Sequence, residues 1–169
     1  GTNYFSAILG NWCRVTNNQI IEKTGDFFIY NSSHIMSTKL SLTVSRSWPF
    51  TAMIIWSDEL NSGTGQDNYA QILDNYGWKI GYFFKVNTYS KLERLYPSLT
   101  RTGNINIAVW MSYLQDSDGY GIYASAFDLV GNVLIKEVLI NTEIIGNQMF
   151  PAIDSDNFGS IIIVWYSEY

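Results

Sequence analysis

The chain has 169 residues, and its 10 Lys and Arg against 15 Asp and Glu give a formal net charge of −5. An acidic chain lacks the basic surface needed to bind a phosphate backbone or anionic lipids, so we expect neither nucleic acid nor a membrane as a partner. Charged residues make up only 15% and hydrophobic residues 47%, which excludes a disordered chain. No apolar run reaches the ~18 residues of a membrane-spanning helix, which predicts a soluble, packed domain without membrane insertion.

The N-terminal region contains the single Cys and the single His of the chain, Cys13 and His34. A single Cys cannot form an intrachain disulfide. With one Cys and one His, a Cys/His zinc site and a Ser-His-Asp or Cys-His centre have little to build from. We interpret Cys13 as a buried small hydrophobic residue and place His34 in a loop.

A repeat of about 54 residues is the main signal in the sequence. Trp56 and Trp110 lie 54 residues apart, and Trp110 and Trp165 lie 55 residues apart. Further pairs keep the step of 54, namely Tyr69 and Tyr123, Asp74 and Asp128, Gly77 and Gly131, Asn87 and Asn141, and Pro97 and Pro151. The sequence therefore predicts a single repeat domain over 1–169, with copies at approximately 1–56, 57–110 and 111–165, circularly closed.

The first copy is weaker and begins part-way through the cycle. Its Asn3 matches Asn68 of the next copy, and it lacks the Trp-bearing segment, which is the last segment of the chain. We therefore expect the strand around Ile163–Tyr166 to pair with the N-terminal strand around Tyr4–Ile8, because each supplies what the other repeat lacks.

Each copy contains four short β signals separated by turn residues. In the clearest copy they are Asn104–Met111, Gly121–Phe127, Val133–Ile140 and a short extended piece around Pro151. Period-2 alternation and β-branched and aromatic residues predict antiparallel sheet without helices, so the fold class is all-β. Four strands in every ~54 residues favour β-propeller-like blades, with the N- and C-terminal strands completing one blade. A β-trefoil, which also has three four-stranded repeats, stays open as the alternative.

The segment 107–153 resembles a known repeat family. Its sequence, IAVWMSYLQDSDGYGIYASAFDLVGNVLIKEVLINTEIIGNQMFPAI, is similar to the pattern VVWxSxxQDxxGxGIYAQxFDxxGxxxGxExxVNTxxxxxQxxPxV, which occurs in tandem in large surface or secreted proteins of bacteria, ciliates and other protists. The resemblance covers Ser45–Tyr169. It implies an extracellular or cell-surface repeat module of propeller-like form, and it implies no particular reaction.

An acidic glycine turn places Asp116 and Asp118 two residues apart, just before Gly119. Carboxylate oxygens at alternate positions of a tight turn are ligands that Ca²⁺ prefers. The loop is too short for an EF-hand, and the corresponding positions of the preceding copy are Ser62 and Thr64. A polar β-turn held by Asx hydrogen bonds is the alternative, and we expect no other cofactor.

Aromatic residues outside the repeated positions are candidates for ligand binding. Trp56, Trp110 and Trp165 share one repeated strand position, which predicts that they lie in the core. The candidates lie in or beside predicted loops and are Trp48, Tyr76, Trp78, Tyr113 and Tyr120. Aromatic faces beside Asp, Asn and Gln side chains suit sugars, and loops on a rigid scaffold are where such sites form. Packing between chains is the alternative role.

Catalysis is not indicated. Propeller-type glycosidases use paired carboxylates, and Asp58 and Glu59 form the single adjacent acidic pair outside the glycine turns. The four arginines are scattered over the repeats, so no arginine cluster of the sialidase type is predicted. We predict a non-enzymatic extracellular module that binds glycans or another surface component, with a homo-oligomer as one way to complete the ring. A structural or assembly domain and a glycosidase remnant are the alternatives.

Overall fold

The computed structural model describes residues 6–11, 13–16, 19–22, 26–32, 39–45, 49–60, 65–89, 91–156 and 158–169. Every regular element in these ranges is a β-strand, which confirms the all-β prediction. The strands are β1 (Ser6–Gly10), β2 (Cys13–Thr16), β3 (Gln19–Glu22), β4 (Phe27–Ser32), β5 (Leu40–Val44), β6 (Ala52–Asp58), β7 (Asp67–Leu73), β8 (Lys79–Lys85), β9 (Arg94–Thr102), β10 (Ile105–Tyr113), β11 (Tyr120–Phe127), β12 (Val133–Leu139), β13 (Asn147–Ser155) and β14 (Ile161–Glu168). A search of the same ranges for a helix of membrane-spanning length and hydropathy finds none.

Two antiparallel four-stranded sheets form the centre of the molecule. The first runs β5–β6–β7–β8 and the second β9–β10–β11–β12, so each strand pairs with the next one along the chain. Three antiparallel pairs accompany them, β1–β4, β2–β3 and β13–β14. Antiparallel strands that follow one another along the chain can be joined by short turns. The turn residues between the β signals of the sequence agree with this arrangement.

Three of the turns share one hydrogen-bond pattern. Asp74, Asp128 and Asp156 each accept, at Oδ1, the backbone N–H groups of the residues two and four positions later. The residue three positions after each aspartate is a glycine, and these glycines have φ values of 85°, 95° and 102°. Only glycine adopts such a backbone conformation without steric cost, so the Asp-x-x-Gly spacing fixes each turn.

The strands of the first sheet face two different cores. Ile55 of β6 packs in a core that contains Trp110 of the second sheet. The next residue, Trp56, points to the opposite face and packs with Tyr30 of β4, with ring centroids 4.8 Å apart. The pair β1–β4 therefore covers the outer face of the first sheet over β6 and β7.

The second sheet also has a partner on each face. Trp110 packs toward the first sheet, whereas Val109 shares a separate core with Ile153 of β13 and Ile163 of β14. The layers thus follow chain order: β1–β4, the first sheet, the second sheet, and β13–β14. The two outer pairs lie on opposite faces of the stack.

The expected pairing of the chain ends is not formed among the described residues. β14 pairs with β13, and β1 pairs with β4. The physical reason is the layer order, because two four-stranded sheets lie between the two outer pairs. The predicted intrachain closure is therefore wrong for this structure.

The position of β1 in the repeat also differs from the sequence match. Ile8 lies opposite Tyr30 in the β1–β4 pair. The equivalent pair in the second sheet is Ile122 and Ile140, in which the Ile140 N–H donates to the Ile122 carbonyl at 2.8 Å. Ile8 thus takes the repeat position of Asn68, five residues after the Asn3 that the sequence match placed there. Tyr4 lies outside the described residues.

The core prediction for the repeated tryptophans is confirmed at two positions and wrong at the third. Trp56 and Trp110 are 0% exposed, and Tyr69 and Tyr123 are also buried. Trp165 is 37% exposed because β14 has a strand neighbour on one edge only.

Candidate functional site

Hydrogen bonds between the sheets define two ends of the stack. At the start of β9, Arg94 N donates to Gln66 O at 2.9 Å, just before β7 begins. At the other end of β9, Arg101 Nη1 donates to Thr51 O at 3.0 Å, just before β6 begins. We call the first the connection end, since the chain passes there from β6 to β7, β8 to β9, β10 to β11 and β12 to β13. The second is the turn end, which carries the turns after β5, β7, β9, β11 and β13.

The first strands of the successive units, β5, β9 and β13, lie side by side along one edge of the stack. Leu99 N of β9 donates to Ser41 Oγ of β5 at 2.9 Å. On the other side of β9, Thr100 Oγ1 and Ser155 Oγ of β13 lie 2.9 Å apart. These side-chain bonds hold three strands of different sheets at fixed distances.

A groove of about 680 Å³ opens along these three strands near the turn end. Its polar lining consists of Thr43, Ser45, Thr100, Arg101, Asp154 and Ser155. Leu42, Val44 and Leu99 supply the apolar part of the lining. Hydroxyl, carboxylate and guanidinium groups beside aliphatic side chains match a polar ligand that also has C–H faces.

Arg101 is the cation of this groove. Its Nε donates to Asn106 Oδ1 at 2.7 Å, and its Nη1 donates to the carbonyl and hydroxyl oxygens of Thr51. Within the described ranges Nη2 has no hydrogen-bond partner, and no carboxylate pairs with the guanidinium. Burial lowers the pKa of Arg101 to about 10, so the group stays charged at neutral pH. The site therefore holds a fixed positive charge, and its unbonded Nη2 is shielded from solvent.

Two of the predicted ligand-binding aromatics lie at the same end as the groove. Tyr76 and Trp78, in the turn between β7 and β8, are 63% and 73% exposed. Their backbone N–H groups both donate to Asp74 Oδ1 at 2.8 Å, so the turn that presents the two rings is fixed. Trp48 lies outside the described residues.

The other two predicted aromatics lie at the opposite end. Tyr113 and Tyr120 pack against each other with centroids 4.8 Å apart, and Tyr120 OH donates to Glu93 Oε2 at 2.9 Å. Burial, followed by the Glu93 hydrogen bond and charge, raises the pKa of Tyr120 to about 12. The predicted aromatics thus belong to two separate places and do not form one surface.

The two acidic residues proposed for calcium have different surroundings. Asp118 Oδ2 accepts the Gly146 N–H at 3.1 Å and ties the β10–β11 connection to the β12–β13 connection. The carboxylate of Asp116 is buried against Gly121, where an added Cβ would clash with it, and it has no hydrogen-bond partner among the described residues. Within the described part of the chain, no group of three or more His, Cys, Asp or Glu side chains is placed to hold a metal ion.

The connection end also contains a network of buried polar side chains that joins the two sheets. Arg94 is 0% exposed, and its guanidinium lies 4.7 Å from the centroid of the Tyr89 ring. Burial lowers the pKa of Arg94, while the charges of Asp67 and Glu137 act in the opposite direction. Glu137 accepts hydrogen bonds from Tyr89 N and from Gln115 Nε2, at 3.2 and 3.1 Å. These bonds are internal to the fold, and we assign the network a structural role.

Asn87 and Asn141 accept equivalent backbone hydrogen bonds in successive units. Asn87 Oδ1 accepts the Asn68 N–H at 2.8 Å, and Asn141 Oδ1 accepts the Ile122 N–H at 2.7 Å. Each asparagine thereby completes the ladder at the point where the third strand of a sheet begins. The repeated Asn of the sequence is thus a structural residue.

Sequence reasoning missed the groove residues Arg101, Asp154 and Ser155. The signal that could have found them is the match of residues 41–43 with residues 98–100, which marks the first strand of each unit. Comparison with protein-family models, with curated proteins and with solved structures finds no match to this chain.

Proposed function

We propose that the protein is a non-catalytic extracellular binding module, that its units are successive blades of a β-propeller, and that its turn end binds glycans. Two features support blades over a trefoil. Each complete unit is a four-stranded meander stacked face to face on the next, and the first strands of successive units lie next to one another at one edge. Both are properties of a propeller around a central axis.

The observation that carries the glycan proposal is the position of the groove and the exposed aromatic turn at one end of the stack. In the groove, Asp154 can accept hydrogen bonds from sugar hydroxyls. On the turn, Trp78 offers a flat face of the kind that stacks on the C–H face of a pyranose ring. The turn follows β7, which lies two strands from β5 in the first sheet, and neighbouring strands are about 4.8 Å apart. Because this distance separates the turn from the groove, the ligand we propose is an oligosaccharide rather than a monosaccharide.

A glycan array followed by calorimetric titration of the best oligosaccharide tests the proposal. The variant Tyr76→Ala with Trp78→Ala removes both rings, and we expect the affinity to fall by about tenfold or more, equivalent to at least ~1.4 kcal/mol. Its matched control is Val130→Ala, which changes the position of the β11–β12 turn that corresponds to Tyr76. We expect both variants to keep the wild-type melting temperature, because the three side chains lie at the surface of the turns.

The groove is tested by Asp154→Asn, with Asp118→Asn at the connection end as the control. We expect weaker oligosaccharide binding from the first variant and unchanged binding from the second. If no glycan on the array binds the wild-type protein, or if the control turn variant loses affinity to the same extent, the glycan proposal is wrong.

A further inference from the structure

The two outer faces of the stack expose apolar residues at repeat positions that are buried inside it. Leu42 of β5 lies opposite Ile54, and Leu99 of β9 lies opposite Ala108, the equivalent residue of the next unit. Leu42 is nevertheless 57% exposed, whereas Leu99 is 6% exposed. The difference is that the first sheet covers Leu99, and in the described part of the chain no sheet covers Leu42.

The last strand shows the complementary case. Val164 directly precedes Trp165, just as Ile55 precedes Trp56 and Val109 precedes Trp110 in the earlier units. Val164 is 55% exposed, while Ile55 and Val109 are both 0% exposed. Ile162 and Tyr166, on the same face of β14, are also mostly exposed.

These two exposed faces correspond to the two sides of the contact between the first and the second sheet. In the core between the two sheets, Ile55 of a second strand packs in the same cluster as Leu99 of the following first strand. Val164 stands at the position of Ile55, and Leu42 stands at the position of Leu99. The outer face of β14 therefore fits the outer face of β5.

The open strand edges are complementary as well. In the second sheet, Met111 of the second strand pairs with Ile122 of the third. Tyr166 of β14 has the repeat position of Met111, and Ile8 of β1 has the repeat position of Ile122. The equivalent pairing would place Tyr166 opposite Ile8, with β13–β14 supplying strands one and two and β1–β4 supplying strands three and four.

We propose that two copies of this chain associate head to tail, so that β13–β14 of each copy and β1–β4 of the other form a complete four-stranded sheet. The inference rests on the blade arrangement of the proposed function. It is made between copies because the two outer pairs of one copy lie on opposite faces of the stack. Besides the β2–β3 pair, the described part of each chain carries two four-stranded sheets and two half sheets, so two chains would form a closed ring of six units. Six lies within the usual range of about 4–8 blades, which nine units from three chains would exceed.

The two junctions of the ring are related by a two-fold axis, and each joins different surfaces of the two copies. Each junction buries Val164 and its neighbours on β14 against β5, and it removes the open edges of β1 and β14. The groove along β5, β9 and β13 then becomes part of a central channel lined by the first strands of all six units.

The molar mass in solution is the first test. Size-exclusion chromatography with light scattering should give twice the chain mass of 19.3 kDa. Val164→Lys places a charge in the proposed interface, and we expect this variant to have the single-chain mass. Its control is Val133→Lys on β12, where the valine is equally exposed at 57%, and this variant should keep the doubled mass.

A charge exchange separates association from misfolding. Leu42→Glu alone should also give single chains. An equimolar mixture of Val164→Lys and Leu42→Glu chains should recover the doubled mass, because one junction of the mixed ring pairs Lys with Glu and the other keeps wild-type Val and Leu. A wild-type protein of single-chain mass at all concentrations, a ladder of larger assemblies, or a mixture that does not associate would each overturn the proposal.

The Val164→Lys variant keeps this inference distinct from the glycan proposal. Val164 does not line the groove, so a single-chain Val164→Lys variant that retains oligosaccharide affinity confirms that the two properties are separate. Glycan binding without the doubled mass overturns only the ring. The doubled mass without glycan binding overturns only the proposed ligand.

Discussion

The second sheet and the β13–β14 pair are copies of the same repeat, yet their side chains have different surroundings. Trp110 is 0% exposed and Trp165 is 37% exposed, and the valines just before them, Val109 and Val164, are 0% and 55% exposed. The residue types agree, but β14 has a strand neighbour on one edge only, and in the described part of the chain no further layer covers Val164. In a stacked repeat protein, burial at a given position therefore depends on the adjacent unit as much as on the sequence of the unit itself.

The largest expected effect tests this comparison directly. Trp110→Ala should lower the free energy of unfolding by roughly 3–5 kcal/mol, because it leaves a large cavity between two sheets. Trp165→Ala, measured in the single-chain Val164→Lys background, should cost about 1 kcal/mol, because the partly exposed ring leaves little apolar area to lose. Urea unfolding monitored by circular dichroism measures both. Equal losses at the two positions would contradict the comparison.

A smaller effect tests whether the two complete sheets are equivalent. Asn141→Ala and Asn87→Ala should each cost about 1–3 kcal/mol, because each leaves a buried backbone N–H without its acceptor. Asn104→Ala, in an exposed turn, is the control and should change little. If only one of the two asparagines proves important, the sheets are not equivalent in the way that their hydrogen bonds indicate.

The Asp-x-x-Gly turns predict a dependence on pH. Burial alone would raise the pKa of Asp128, but hydrogen bonds from Asn132 and from the Val130 and Gly131 amides outweigh it and lower the pKa. A lowered native pKa stabilises the fold above the ordinary aspartate value of about 4, and this contribution is lost as the pH falls through the native pKa. Asp128→Ala should cost about 1 kcal/mol at pH 7 and reduce the loss of stability in acid. Melting curves from pH 7 to pH 2.5 measure it, and an unchanged acid profile would contradict the assignment.

The smallest effect concerns calcium. Asp118 binds the Gly146 amide, and asparagine at this position keeps an acceptor oxygen. Asp118→Asn should therefore change the free energy of unfolding by less than about 0.5 kcal/mol, and EDTA should leave the melting temperature unchanged. A large rise in melting temperature on adding Ca²⁺ that Asp118→Asn abolishes would restore the calcium site.

The sequence predicted the sheets better than it predicted the site. The spacing of Trp56 and Trp110 identified the repeat, because a core position must recur once in every unit. The match of Asn3 with Asn68 was wrong by five residues, because Ile8 takes the repeat position of Asn68. The match compared single residue types, whereas the strand register is set by the β1–β4 pairing. The groove was missed for a further reason: the surroundings of Arg101 depend on Thr51, fifty residues earlier, and on strands from three units.

The three aspartate turns also have a consequence for how the chain folds. Each closes a hairpin through contacts within five residues, so the hairpins β7–β8, β11–β12 and β13–β14 can form in microseconds before any sheets stack. Each turn also fixes the strand register, because a slip of one residue would move the amides away from the aspartate and turn every side chain to the opposite face. Stacking of preformed hairpins is then the slow step. Mutations such as Trp110→Ala should accordingly affect the late, non-local part of folding, and changes at Asp74 or Asp128 the early, local part.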